Sequence, residues 1–225
     1  MFKRIICGVL VAAMALSTAA CAVGKKDNEK TSDTVVAIVG DTKITLGDME
    51  TGVASIKEDI IADYGEDYES KDEAMKSFTQ QKKDYLDYLI EGEIFVQKAN
   101  EMGLTASDDE VQVQLEQLMG QFDSKEAYEQ ALEQSGMTID QLKEQLAENI
   151  KINKVIDSLF ANIQVTDEEI KQYYDNNESV QESTLADATE TIRQILQQDK
   201  EYTLYQETLE KWKTELGVEP YYDQL

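Results

Sequence analysis

Residues 35–45 read Val-Val-Ala-Ile-Val-Gly-Asp-Thr-Lys-Ile-Thr, and this stretch determines the fold more than any other. A run of apolar residues, mostly β-branched, is followed by Gly40-Asp41 and then by a second short run that contains Ile44. Two such runs separated by two turn-forming residues predict a β-hairpin. Because an isolated hairpin is only marginally stable in water, this one needs a third strand or a helix to pack against.

Helix starts follow the hairpin. Five Ser or Thr residues are each followed three places later by an acid or Gln, which is the capping-box pattern of a helix N-terminus. The pairs are Thr45/Asp48, Ser70/Glu73, Ser107/Glu110, Thr138/Gln141 and Thr166/Glu169. Each pair opens a segment with helical apolar spacing, and Gly103, Gly136 and Gly217 follow such segments, as expected for helix ends. The sequence therefore predicts helices near 46–63, 72–102, 108–120, 125–134, 139–163, 167–175 and 183–216.

The last of these helices has the most regular apolar stripe. Its members recur at alternating three- and four-residue steps, with Asp199 as the one polar interruption: Leu185, Ala188, Ile192, Ile195, Tyr202, Tyr205, Leu209, Trp212 and Leu216. This spacing predicts packing against a partner helix, and a cofactor-binding pattern explains it less well.

A short extended segment follows this helix. Pro220 within Val218–Tyr222 restricts that segment to the edge of a sheet. Since the hairpin and this segment both need a partner, we expect them to pair, so that the two ends of the folded chain meet. The predicted fold class is mostly α, a helical body with a small sheet formed by an N-terminal hairpin and a C-terminal strand.

The first twenty residues have the pattern of a secretory signal. Lys3 and Arg4 precede an apolar run, Ile5 to Leu16, that is too short to span a membrane. The small residues that end at Cys21 resemble the lipobox of bacterial lipoproteins, in which the cysteine is lipidated and becomes the first residue after cleavage. Thr18 departs from the aliphatic residue usual at that position, and ordinary cleavage after Ala20 is the alternative. We expect a signal peptide over 1–20, a lipidated flexible tether over 21–34 and a folded domain over 35–225, held by its lipid on the outer face of the cell membrane.

Composition excludes several functions. Removal of residues 1–20 leaves 19 Lys and Arg against 46 Asp and Glu, a net charge of −27. Nucleic acid is therefore not an expected partner, because binding phosphates needs clustered basic residues. The chain has no histidine, and its two cysteines are Cys7 and Cys21, so no internal disulfide and no Ser-His-Asp or Cys-His arrangement is expected in the folded domain. No cofactor or metal is predicted.

The order of these elements resembles the SurA/PrsA family of extracytoplasmic foldases, whose chaperone module is related to the substrate-binding part of trigger factor. Four stretches carry the resemblance: Val35–Thr45 with its Gly40-Asp41 turn, Leu86–Ala99, Gly103–Val111, and Val165–Tyr174 with its paired tyrosines. The likeness covers residues 35–177 well and includes the final helix and strand less closely. It implies a trigger-factor-like helical chaperone module that binds unfolded or nascent exported proteins.

One departure limits what the resemblance implies. In the longer relatives a parvulin prolyl isomerase domain follows the helix that carries the paired tyrosines. Here the terminal helix begins within about ten residues of Tyr174, and parvulin sites typically carry histidines. We therefore expect a chaperone without isomerase catalysis and without catalytic residues.

Candidate polypeptide-binding residues are apolar side chains where short helices meet or where the long second helix begins. They are Phe78, Tyr85, Leu118, Met119, Phe122, Tyr128 and Met137. The alternative is that they form ordinary core, which has the same helical spacing. The acidic runs at Asp108–Glu110 and Asp167–Glu169 are better explained by capping than by metal binding, since acids favour the first turn of a helix.

The sequence is also compatible with three other functions. They are a prolyl isomerase with an unrecognised site, a solute-binding lipoprotein, and a non-catalytic scaffold of a membrane complex. The nearly all-helical pattern argues against the solute-binding class. The scaffold shares every sequence feature with the chaperone, and the oligomeric state is not indicated.

Overall fold

The predicted hairpin is confirmed in the computed structural model, which describes residues 31–134 and 136–225. Strands β1 (Val35–Val39) and β2 (Thr42–Thr45) pair antiparallel around a turn at Gly40-Asp41, where Gly40 has a φ of +57°. That positive φ favours glycine over residues with a Cβ. A shift in register between Val35 and Ala37 places Val36 and Ala37 both in the core.

The C-terminal strand pairs with the hairpin, as the sequence predicts. Strand β3 (Glu219–Pro220) lies antiparallel to β1, which is therefore the central strand of the order β2-β1-β3. The N–H of Tyr221 donates to the carbonyl of Val36 at 2.8 Å, and that of Gly40 donates to the carbonyl of Leu216 at 2.9 Å. These hydrogen bonds join the two ends of the folded region.

The described residues form the predicted seven α-helices. Their bounds are α1 Leu46–Tyr64, α2 Asp72–Glu101, α3 Asp108–Met119, α4 Lys125–Gln134, α5 Ile139–Phe160, α6 Asp167–Asn176 and α7 Leu185–Leu216. Single-turn 3₁₀ helices lie at Tyr68–Ser70, Glu178–Val180 and Tyr222–Gln224. The largest difference from the prediction is at α5, which ends three residues early at Phe160.

Four of the five predicted capping boxes are confirmed, with both hydrogen bonds present at Thr45, Ser107, Thr138 and Thr166. The fifth prediction, Ser70 with Glu73, is wrong. Ser70 ends a 3₁₀ turn, where its hydroxyl donates to the carbonyl of Asp67 at 2.7 Å, and α2 begins after Lys71 without a side-chain cap. The hydroxyl of Thr184 accepts from the N–H of Asp187 and caps α7, which the sequence analysis did not anticipate.

The main core lies between the sheet and the helices α2, α5 and α7. Its buried members are Val36, Ala37, Val39, Ile44, Met49, Leu86, Leu89, Ile90, Ile94, Phe95, Ala99, Val155, Ile156 and Leu209. The ring of Phe95 stacks on Tyr205 at 5.5 Å and meets Trp212 edge-on at 5.4 Å, which fixes α7 against α2. Burial of this set supplies the largest stabilisation of the fold.

Three smaller apolar clusters lie beside the main core. One joins α1 to the start of α2 around Ile60 and Tyr68, one joins α6 to α7 around Ile170 and Ile192, and one is formed by α3, α4 and α5. The long stripe of α7 is therefore shared between two clusters, with Ile192 in the α6 cluster and Leu209 in the main core. Between them, Tyr202 is exposed.

Ion pairs between a buried lysine and two exposed glutamates reinforce the contact between α2 and α7. The ammonium of Lys98, only 8% exposed, lies 2.9 Å from Glu101 and 3.0 Å from Glu215. Burial alone would lower the pKa of Lys98, but the hydrogen bonds to Glu101 and Glu215 outweigh burial and raise it. The ammonium therefore stays charged inside the contact.

The predicted signal peptide, Cys21 and most of the predicted tether lie outside the described residues. The described chain begins with a turn at residues 31–34 that packs on the start of α1. The N–H of Leu46 donates to the carbonyl of Thr34 at 2.9 Å, and that of Gly47 to the carbonyl of Ser32 at 2.8 Å. Within residues 31–134 and 136–225, no helix combines the length and apolar character that crossing a membrane requires.

Candidate functional site

The third small cluster lies apart from the main core, and we call it the α3–α5 lobe. Its buried residues are Leu115, Tyr128, Met137 and Leu142, and its half-buried residues are Leu118, Met119, Phe122, Leu132 and Leu146. The lobe is joined to the body by α5, whose second half contributes Val155 and Ile156 to the main core.

Local sequence signals explain how the lobe forms. Ser107 and Thr138 cap the helices that enclose it, and the hydroxyl of Ser124 accepts from the N–H of Ala127 at the start of α4. Between α3 and α4 the chain turns, and there Phe122 meets the ring of Tyr128 edge-on at 5.7 Å. Three short helical segments thus present one apolar face each to a shared interior.

The structure brings five of the seven candidate residues together. Leu118, Met119, Phe122, Tyr128 and Met137 all belong to the lobe, with Tyr128 and Met137 buried and the other three half-buried.

The two remaining candidates lie elsewhere. Phe78 packs in the cluster of Ile60 and meets Tyr68 edge-on at 5.9 Å, while the ring of Tyr85 packs on the main core and stacks with Tyr88 at 6.1 Å. The seven residues therefore do not line one continuous surface.

The lobe also contains residues that the sequence analysis left out. Leu115, Leu132, Leu142 and Leu146 complete its interior, and their three- and four-residue spacing from Leu118, Tyr128 and one another was a usable signal. On its helices, Val113 is 52% exposed and Ile139 is 38% exposed. The lobe thus combines a small apolar interior with apolar side chains in contact with solvent.

Unpaired polar atoms mark the lobe as unusual. Among the described residues, buried side-chain atoms without a hydrogen-bond partner are the hydroxyl of Tyr128 and both amide atoms of Gln145. Gln145 lies on α5 between Leu142 and Leu146, both of which belong to the lobe. Burial, and secondarily the negative charge of Glu129, raises the pKa of Tyr128, so its phenol is neutral and retains its proton. Such groups are rare in folded proteins because burial removes their hydrogen bonds to water.

The acidic runs are helix caps that also form ion pairs, as the capping interpretation predicts. Glu110 completes the box at Ser107 and lies 2.7 Å from Lys154, and Glu169 completes the box at Thr166 and lies 2.6 Å from Lys200. Hydrogen bonds from these lysines, followed by those from the capping residues, lower the pKa of Glu110 and of Glu169 to about 2. Within the described part of the chain, no group of His, Cys, Asp and Glu is arranged to hold a metal ion.

A concave groove is formed elsewhere, where the two ends of the described chain meet. A groove of about 510 Å³ runs between the first described turn, α1 and the last residues of the chain. Its apolar walls come from Leu46, Met49, Val53, Ala54 and Leu225. None of these residues was among the sequence candidates.

Fold and site together define a helical domain whose sheet joins the two ends of the described region and which carries a small apolar lobe, partly open to solvent, beside the main core. Comparison with known proteins agrees with this class. The chain belongs to the SurA-like N-terminal domain family, whose model matches residues 1–156. The resemblance drawn from the sequence motifs is therefore confirmed.

Curated relatives extend the match. The chain is 30% identical over 182 residues to the foldase protein PrsA of Clostridium acetobutylicum, covering 79% of this chain and 55% of that protein. It is 29% identical over 178 residues to the foldase protein PrsA of Clostridium perfringens, covering 78% and 52%. The chain thus spans about half the length of the curated relatives it matches. No solved structure matches it.

Proposed function

We propose that this protein is an extracytoplasmic chaperone that binds unfolded exported polypeptides, without ATP and without prolyl isomerase catalysis. The observation that carries the proposal is the α3–α5 lobe, an accessible apolar cluster in a chain whose relatives are named foldases. An unfolded chain exposes apolar side chains, and binding them delays aggregation.

The composition of the lobe suits this role. Met119 and Met137 are unbranched and polarizable, so they adapt to side chains of different shape. Exposed Val113 and Ile139 extend the apolar surface beyond the interior of the lobe. Such a surface binds many sequences weakly rather than one sequence tightly.

Charge favours a particular kind of client. The chain carries a formal net charge of −25 before any processing, and residues 107–149 contain eleven acidic and two basic side chains. A negative field attracts basic segments and keeps the chaperone itself soluble.

The absence of catalysis is part of the proposal. The matched family is that of an N-terminal domain, and the sequence contains no histidine. It also has no glycine-rich phosphate-binding motif of the P-loop kind. Client release would then follow from the weakness of each contact rather than from nucleotide hydrolysis.

Membrane attachment would come from lipid on Cys21. Two acyl chains on one cysteine anchor a protein stably, whereas one chain does not. Incorporation of labelled fatty acid in expressing cells, with Cys21→Ser as the matched control, tests this part separately. Equal labelling of both proteins would contradict it.

The chaperone activity is tested by light scattering of an aggregating, unfolded exported protein. The purified protein should suppress scattering, and Met119→Ser with Phe122→Ser should suppress it less, because both side chains are accessible in the lobe. Tyr202→Ser, which removes an exposed aromatic residue of α7, is the control. Unchanged scattering in excess protein would contradict the proposal and favour a scaffold, and faster proline-limited refolding would reveal an isomerase.

A further inference from the structure

The unpaired polar atoms of the α3–α5 lobe point to a specific use. A buried polar atom without a partner costs free energy because it has given up hydrogen bonds to water. Tyr128 is only 6% exposed, and its hydroxyl lacks a partner, as do both side-chain polar atoms of Gln145. Tyr128 belongs to the lobe, and Gln145 lies on α5 between the lobe residues Leu142 and Leu146, so the unpaired Tyr128 hydroxyl adds a cost to the closed form of the lobe.

The closed lobe also has little to offset this cost. Four of its residues are buried, whereas fourteen are buried in the main core. Stability from burial scales with the apolar area removed from water, so the lobe opens at a lower free energy than the body. Opening of the lobe would leave the sheet intact, because β1 pairs with β2 and β3 among the described residues and not with α3 or α4.

An extended polypeptide can supply the hydrogen-bond partners that Tyr128 and Gln145 lack. Each of its residues carries a backbone N–H and, on the same edge, a carbonyl, and a glutamine side chain presents one donor group and one acceptor that match this pair. A tyrosine hydroxyl donates to a carbonyl in the same way. Apolar side chains of the segment would occupy the space between Leu115, Met119 and Leu142, where the two methionines of the lobe adapt to them.

We propose that the α3–α5 lobe opens to admit an extended, apolar polypeptide segment flanked by basic residues, and that Tyr128 and Gln145 hydrogen bond to the backbone of that segment. The inference rests on the proposed chaperone function and assigns its client class and two binding residues. The basic flanks follow from the local charge, since residues 107–149 carry eleven acidic side chains against two basic ones.

The test uses the full chain and a fluorescein-labelled synthetic peptide with alternating leucine and threonine and two lysines at each end. Binding is followed by anisotropy, and opening of the lobe by hydrogen exchange of residues 108–134 and 136–149. Tyr128→Phe removes only the unpaired hydroxyl, and Gln145→Met removes the amide while keeping an unbranched side chain. Tyr88→Phe, which alters an exposed phenol outside the lobe, is the control.

We expect Tyr128→Phe to slow hydrogen exchange in the lobe and at the same time to weaken peptide binding by about fivefold, the loss of one hydrogen bond. Gln145→Met should also slow exchange and weaken binding, and by more than Tyr128→Phe, because it removes both a donor and an acceptor. If Tyr128 and Gln145 only stabilise the closed lobe, their replacement should speed up hydrogen exchange while binding weakens. That result would overturn the inference. Replacing the terminal lysines by glutamates should also weaken binding.

Two failures are distinguishable. If the wild-type protein suppresses client aggregation but Tyr128→Phe and Gln145→Met bind the peptide as it does, the chaperone proposal survives and the assignment of these residues is wrong. If the wild-type protein neither suppresses aggregation nor binds the peptide, both proposals are wrong.

Discussion

The hydroxyl of Thr42 donates a 2.7 Å hydrogen bond to Oε1 of Glu93, across 51 residues of sequence. The same oxygen accepts from the side-chain amide of Gln97 at 2.7 Å, and Gln97 also donates to the carbonyl of Val39 at 2.8 Å. Glu93 is 7% exposed. A buried carboxylate thus ties the hairpin to α2. Strand β1 pairs with β2 and β3 on its two edges, and Gln97 binds the carbonyl of its last residue, Val39.

We predict that Glu93→Ala lowers the free energy of unfolding by about 1–3 kcal/mol, because it removes the shared acceptor of the half-buried Thr42 hydroxyl and Gln97 amide. Glu93→Gln retains an acceptor oxygen and should cost less. Urea unfolding followed by circular dichroism measures both, with exposed Glu207→Ala as the control. Equal midpoints for Glu93→Ala and Glu207→Ala would show that the network contributes nothing.

A second prediction concerns Gly52 on α1. A Cβ at this position would lie 2.1 Å from Cζ of Tyr85, so the tyrosine ring must move if alanine is introduced. Alanine in a helix interior ordinarily stabilises by about 1 kcal/mol relative to glycine. We therefore expect Gly52→Ala to destabilise the wild-type protein but to stabilise the Tyr85→Ala variant.

This reversal of sign is measured by a double-mutant cycle of urea midpoints. Gly92→Ala is the matched control, because a Cβ there meets nothing within 4 Å. It should stabilise both backgrounds alike. If Gly52→Ala stabilises the wild-type protein, the ring of Tyr85 moves at no cost and the contact has no role in packing α1 on α2.

The sequence predicts the fold well because its signals are local. Four capping boxes, the Gly40-Asp41 turn and the glycine at 217, which ends α7 with a φ of +62°, each depend on residues within one turn of chain. The pairing of β3 with β1 was predictable because both segments lacked a partner. The missed cap at Thr184 and the wrong one at Ser70 show the limit, since a competing bond from Ser70 to Asp67 diverts its hydroxyl.

The candidate site was less predictable for a physical reason. Helical spacing shows that Met119 and Tyr128 face an interior but not which interior, so it does not separate them from Phe78 and Tyr85, which pack elsewhere. Whether a polar atom finds a partner depends on tertiary contacts. The unpaired atoms of Tyr128 and Gln145 therefore have no sequence signal.

Acid should weaken the fold in a defined range. The pKa of Glu110 and of Glu169 falls from 4.5 to about 2 in the folded chain. Groups with a lowered folded pKa contribute stability that is present above the unfolded value and is lost as the pH falls through the folded value. We therefore predict that the free energy of unfolding falls as the pH is lowered from 4.5 to about 2. In the double variant Glu110→Gln with Glu169→Gln, this fall should be smaller.

Urea midpoints across this pH range measure the slope for each protein. A control variant, Glu182→Gln with Glu207→Gln, changes two exposed carboxylates by the same charge. It separates the local ion pairs with Lys154 and Lys200 from the general effect of a less negative chain. The same slope in both variants would assign the acid response to net charge alone.

The last prediction follows from the division of α7 between two clusters. Ile192 is fully buried against α6, whereas Leu209 is 3% exposed in the main core. Each substitution by alanine removes a buried aliphatic side chain. The free energy of unfolding falls by about 2–5 kcal/mol if the site unfolds together with the rest of the domain. We expect Leu209→Ala to lower the global free energy of unfolding by this amount.

Ile192→Ala should mainly accelerate hydrogen exchange in α6 and in the first half of α7, because the α6 cluster can open while β1, α2 and the second half of α7 remain packed. Exchange measured by mass spectrometry distinguishes the two, and equal acceleration in α2 for both variants would show that α7 couples the two clusters into one cooperative unit.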